Sequence, residues 1–146
     1  MPSLFGSECS PDVFELNNHL VAQPKPPKTK ARAELDAEAK KHFAATFEAT
    51  WRLLGGPELE REYPFCPDRK WRADYYCETP TGKWILELDG GIWTGGRHVR
   101  GKGYIEDCMK KNAAGLLGYH VICIPTGCAT PTYLESLIRA IQSDFR

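Results

Sequence analysis

The chain has 146 residues, 42% of them apolar and 26% charged, with 19 basic residues balancing 19 acidic ones. That is enough for one domain with a real core and too little for two; zero net charge excludes a uniformly basic nucleic-acid binder but allows a local basic face. No stretch approaches the ~20 apolar residues of a membrane span, and MPSLFGSECS lacks the basic start and apolar run of a secretory signal, so no membrane partner and an intracellular location are expected.

Residues 1–30 form an N-terminal arm, in which the prolines and lysines of AQPKPPKTK favour extended chain over helix. Within it, DVFELNNHL has the apolar spacing for a short helical turn that docks on the body or on a partner subunit. The remaining residues, 31–146, make the folded domain. Ala31 to Leu54 predicts a helix, rich in alanine, glutamate and lysine, whose stripe Phe43, Phe47, Trp51 and Leu54 is apolar and which Gly55-Gly56-Pro57 ends. Glu48 lies at the edge of that stripe.

Three strand-like segments follow. Glu60 to Phe65 is interrupted by Pro64 and reads as an edge strand. Lys70 to Cys77 alternates, with Trp71, Ala73, Tyr75 and Cys77 on one face and Arg72, Asp74 and Tyr76 on the other. Thr79-Pro80-Thr81-Gly82 is a hairpin turn into Lys83–Asp89, where Ile85, Glu87 and Asp89 share one face. Asp74 and Glu87 are therefore expected on neighbouring strands, projecting to the same side.

A basic, glycine-rich loop, GGIWTGGRHVRGKG, then leads into a helix from about Gly103 to Leu117, with Gly118 as its cap. Tyr119 to Ile124 predicts a buried strand parallel to the third one. On it, His120 is expected to be a hydrogen-bonded structural residue. Thr132 to Ser143 closes the chain as an amphipathic helix. The six cysteines form no C-x-x-C pair and have no histidine at zinc-ligand spacing, so neither a zinc site nor a disulfide framework is expected; Cys108 and Cys123 suit small buried positions.

The acids and the loop suggest complementary tasks. Two carboxylates brought together repel and raise one pKa, a conflict that a divalent cation removes. Magnesium takes oxygen ligands, commonly one or two carboxylates with water and phosphate, and lowers the pKa of bound water. Arg97, Arg100 and Lys102 in the loop, with Lys111 on the next helix and Arg72 on the second strand, form a local basic face suited to a nucleic-acid backbone.

The run RKWRADYY…ILELDGGIW…GRHVRGKG…EDCMKKNAAGLLGYHVICI, within an α-β-β-β-α-β order, resembles the PD-(D/E)XK nuclease superfamily. The likeness is nearest to small phage-type Holliday junction resolvase-like nucleases and more distant to very-short-patch repair endonucleases. It covers about Glu60 to Ile124 and leaves out the arm.

It implies an α/β fold with a restriction-endonuclease-like αβββαβ core: a mixed central sheet flanked by helices, with an additional C-terminal helix. It also implies a divalent-metal-dependent endonuclease acting on DNA, with Mg2+ as cofactor and Mn2+ able to replace it. Its setting would be intracellular, the host cytoplasm if the chain is phage-encoded. Asp74 takes the place of the first acid, Glu87 that of the second, and the Leu88 carbonyl that of a third metal contact. Asp89 stands where the pattern has its lysine. Either Lys110 on the following helix replaces that lysine or Asp89 helps hold a second cation. His98 and Asp107 correspond to residues of the repair endonucleases, and Glu48 to the acid a first helix can contribute.

Three competing readings follow. A nucleotide-phosphate loop is disfavoured because neither G-x-G-x-x-G nor G-x-x-x-x-G-K-[ST] occurs. A nucleic-acid-binding member of the same fold that has lost cleavage is the main alternative, since the motif lysine is displaced. A protein-binding scaffold predicts neither binding nor cutting. Junction cleavage would further require a homodimer.

Overall fold

The computed structural model describes residues 29–89 and 101–143, with residues 101 and 102 described by backbone alone. The N-terminal arm lies outside them, apart from its last residues.

Helix α1 spans Lys30–Leu53 and begins at Thr29, whose hydroxyl accepts from the Arg32 amide. Its first turns are exposed, with Leu35 at 67%, and only Phe47 and Trp51 in its second half are fully buried. The Trp51 indole donates to the Pro57 carbonyl at 2.9 Å. The chain then turns at Gly55 (φ 74) and passes so close to the indole that a Cβ on Gly56 would fall 2.3 Å from Trp51 Nε1.

Strands β1 (Glu60–Tyr63), β2 (Ala73–Thr79) and β3 (Gly82–Asp89) follow, then helix α2 (Gly101–Leu116), strand β4 (His120–Pro125) and helix α3 (Pro131–Gln142). The strands lie in the order β1-β2-β3-β4. The first two pairings are antiparallel and β3 with β4 is parallel, as a crossover through α2 allows. The chain is thus α/β: a four-stranded mixed sheet with three α-helices among the described residues.

Each face of the sheet carries its own apolar cluster. On one side, Phe47 and Trp51 of α1 and Leu134, Ile138 and Ile141 of α3 pack against Tyr75, Cys77, Leu86 and Ile124. On the other, Ala113 and Ala114 of α2 pack with Ile85, Ala73, Phe65 and Cys66. The β2–β3 hairpin is tied to the first side: Thr79 Oγ1 donates to the Ile141 carbonyl at 2.7 Å. Thr130 caps α3, and Pro131 occupies its first turn, where a missing N–H costs nothing.

Several local expectations are corrected. β2 begins at Ala73, so the alternation does not extend back to Trp71, which packs with the second cluster; Ala73 alternates in phase with Tyr75 and Cys77 and also contacts that cluster. Among the described residues β4 is an outer strand, not a buried one, and of its residues only Ile124 is fully buried. His120 is exposed, and its ring stacks on Trp84 at 4.4 Å. Cys108 and Cys123 are half-buried, and the five described cysteines are all free. Among the described residues no helix is long and apolar enough to cross a membrane.

Candidate acid–lysine site

Strand periodicity and register place the acids. Tyr75 pairs with Leu86 and Tyr76 with Ile85, so Asp74 comes opposite Glu87 on the α2 face of the sheet. The two are held differently. Asp74 Oδ2 accepts the Leu88 main-chain amide at 2.8 Å, a cross-strand bond that fixes the carboxylate against β3. Glu87 is buried, 9% exposed as a residue. Its partner is Lys110 of α2, whose Nζ lies 2.8 Å from Oε1 and 2.9 Å from Oε2.

This bifurcated contact depends on how α2 is docked. Ala113 and Ala114 are its buried contact residues, small enough to let the helix lie close to Ile85. Lys110, about one turn earlier, then meets the end of β3. One turn before that, Asp107 pairs with Lys111 at 2.7 Å. Burial works against the charge on Lys111, but the Asp107 carboxylate and the Cys123 sulfur outweigh it and hold its pKa above the usual lysine value.

Glu87 is the strained group electrostatically. Burial pushes its pKa up, the Lys110 ammonium opposes that, and the Asp74 and Asp107 carboxylates add to the rise; the net shift is upward. Three acids thus meet at one buried locus, with Lys110 in direct contact among the described residues. A hard divalent cation fits this donor set, since Asp74 and Glu87 offer carboxylate oxygens and excess negative charge. They are two ligands rather than a cage: among the described residues no three His, Cys, Asp or Glu side chains cluster as a metal site.

Glu48 is on the opposite side of the sheet. It forms an ion pair with Arg61 and accepts the Tyr75 hydroxyl at 2.6 Å. Burial favours its neutral form, but these two partners outweigh it and lower its pKa. The same residues line a cavity of about 440 Å³ together with Trp51, Arg52 and Leu59. Tyr75 belongs to the α1-side core, so the structure does not bring Glu48 to the acid pair.

The remaining expected residues divide by location. Asp89 ends β3 half-buried, two residues beyond Glu87, and its carbonyl accepts the Thr126 hydroxyl at 3.1 Å. Arg72 is exposed and donates to the Glu62 carbonyl at 3.0 Å. Arg97, His98 and Arg100 lie outside the described residues, and Lys102 is placed only as part of the first turn of α2. Two contacts had no sequence counterpart: the Asp74–Leu88 amide bond and the Glu48–Arg61–Tyr75 group. The Asp107–Lys111 pair has one, the i,i+4 spacing of opposite charges.

No family model, curated protein or solved structure matches the chain.

Proposed function

We propose that this protein is a divalent-metal-dependent endodeoxyribonuclease of the PD-(D/E)XK kind, with Asp74 and Glu87 as its metal-binding carboxylates and Lys110 in the place of the motif lysine. The observation that carries the reading is the junction of three residues distant in sequence: Asp74 opposite Glu87, with the Lys110 amine 2.8 Å from Glu87. The αβββαβ order and the mixed sheet are compatible with it.

Magnesium at the two carboxylates would act as a Lewis acid toward a phosphate oxygen and lower the pKa of water there. The chain's own groups have separable tasks. The Leu88 amide holds Asp74 in one orientation, leaving Oδ1 without that restraint. Glu87, held by Lys110 in this structure, would be the second carboxylate for a cation. The Lys110 ammonium would then be available to meet a non-bridging phosphate oxygen, where negative charge builds up in phosphodiester cleavage. Arg72, Lys102 and the loop residues Arg97 and Arg100 would hold the flanking backbone without reading bases.

A second reading, DNA binding without cleavage, draws on two observations: Lys110 already pairs with Glu87, and no third metal-capable side chain clusters with the acids among the described residues. One experiment decides between them. Supercoiled plasmid and a four-way junction are incubated with the protein and Mg2+, Mn2+ or chelator. Metal-dependent nicking lost in Asp74→Ala and Glu87→Ala supports the enzyme. Retention of DNA in a mobility shift with no cutting under any metal supports the binding protein.

A further inference from the structure

The two outer edges of the sheet are built differently. β1 has four residues, carries Glu60, Arg61 and Glu62, and holds Glu62 in the left-handed region at φ 51. Shortness, charge and a local distortion are devices that stop an edge strand from pairing with another chain. β4 is less protected: it runs for six residues, HVICIP, without Asp, Glu, Lys or Arg, and only the terminal Pro125 limits its pairing. Among the described residues only β3 pairs with it.

Beside that edge, on the face that bears the acids, an open groove of about 630 Å³ runs between β4 and α2 and is lined in part by Lys111, Gly115, Leu116, Tyr119 and Val121. Leu116 is 72% exposed. Gly115 sits within α2, where glycine weakens a helix, yet an added Cβ would meet nothing within 4 Å. The space above it is where a second backbone can approach.

We propose that β4 pairs antiparallel with β4 of a second copy of this chain, joining the two sheets into one across a two-fold axis, with α2 facing α2 above the seam. A two-fold interface must be complementary to itself, and this one is. β4 has no fixed charge to repel its own copy. The Asp107–Lys111 pair, with side chains 46% and 28% exposed, reverses its polarity under the two-fold, so the acid of one helix runs toward the lysine of the other. An extended peptide would satisfy the strand edge but not cover Leu116; a partner with its own helix beside its own edge strand covers both.

One consequence rests on the nuclease reading above. β3 is next to β4, so both acid pairs would lie on the same face of the joined sheet, three strand spacings or ~14 Å apart across the strands. Two sites on one surface suit paired cuts in a branched DNA.

The test needs neither DNA nor metal, so its failure is separate from failure of the nuclease reading. Molar mass is measured by light scattering and sedimentation across micromolar concentrations, for the wild type and for Gly115→Arg, Leu116→Glu and Leu53→Glu. Leu53 is 86% exposed on α1 and serves as the control. A wild-type and Leu53→Glu mass of twice the chain, with the other two variants at one chain and their thermal melting cooperative, is the expected result. Hydrogen exchange on the wild type adds a reading independent of any substitution: amides of β4 lose protection on dilution. A wild-type monomer, a dimer that survives both groove substitutions, or β4 protection that does not change with concentration overturns the proposal.

Discussion

Two carboxylates on opposite faces of one sheet behave in opposite ways. Glu48, with a side chain 17% exposed, sits on the α1 side and has its pKa lowered; Glu87, at 12%, sits on the α2 side and has its pKa raised. Burial favours the neutral form of both. Two things differ: Glu87 is the more deeply buried, and Glu48 has Arg61 and the Tyr75 hydroxyl whereas Glu87 has Lys110 set against Asp74 and Asp107. The first arrangement is satisfied and contributes to holding α1 on the sheet. The second sets the Asp74 and Asp107 carboxylates against the Lys110 ammonium around one buried acid, a conflict that a bound cation would relieve. Packing follows the same division. The α1 side carries Trp51, Phe47 and three large aliphatics of α3, while α2 contributes two alanines to the other side.

The comparison can be broken from either face. Asp74→Ala or Glu87→Ala should lower metal-dependent nicking on the order of 10³-fold, with the folded state retained in thermal melts. Trp51→Ala attacks the other face and should cost about 3–5 kcal/mol in denaturant unfolding, while the remaining folded fraction keeps its specific activity. Lys110→Met should reduce nicking about 10²-fold. It should also move the acid limb of the pH–rate profile upward, because the charge that opposes the rise in the Glu87 pKa is gone.

Glu48→Leu should destabilise the fold by about 1–3 kcal/mol, since the Tyr75 hydroxyl loses a charged acceptor. Nicking per folded molecule should stay unchanged; a large loss at unchanged stability would return Glu48 to the catalytic site.

The smallest effect sharpens the contrast through pH. The raised pKa of Glu87 makes its contribution greatest below its unfolded value and lost as pH rises through the folded one. Glu48, with its lowered pKa, contributes above its unfolded value and loses that as pH falls through the folded one. Melting curves of Glu87→Gln and Glu48→Gln against wild type, without metal, should therefore diverge from it with opposite dependence on pH across the carboxylate range. Parallel profiles would remove the distinction between the faces.

Much of this was readable from local pattern. The alternation over residues 83–89 identified which side of β3 Glu87 and Asp89 share, and the turn at Thr79–Gly82 fixed a hairpin that carries Asp74 opposite Glu87. The apolar run YHVICI predicts a buried strand; the strand forms at His120–Pro125, but among the described residues it is an outer one, and apart from Ile124 its apolar residues are only partly covered. Apolar composition alone does not distinguish an interior strand from an unprotected edge. His120 is exposed for the same reason: its place depends on the strand's outer position and on the nearby Trp84 ring, neither of which is local in sequence.

The sequence by itself determined the elements, their order and the side of each strand on which an acid lies, because a strand's period of two is a local property. Only the tertiary structure decided which helix residues meet those acids. The rotation of α2 about its axis is set by Ala113 and Ala114 against Ile85, contacts made between distant parts of the chain, and that rotation brings Lys110 to Glu87. The same kind of long-range packing puts α1 on the far face and leaves Glu48 with Arg61 and Tyr75.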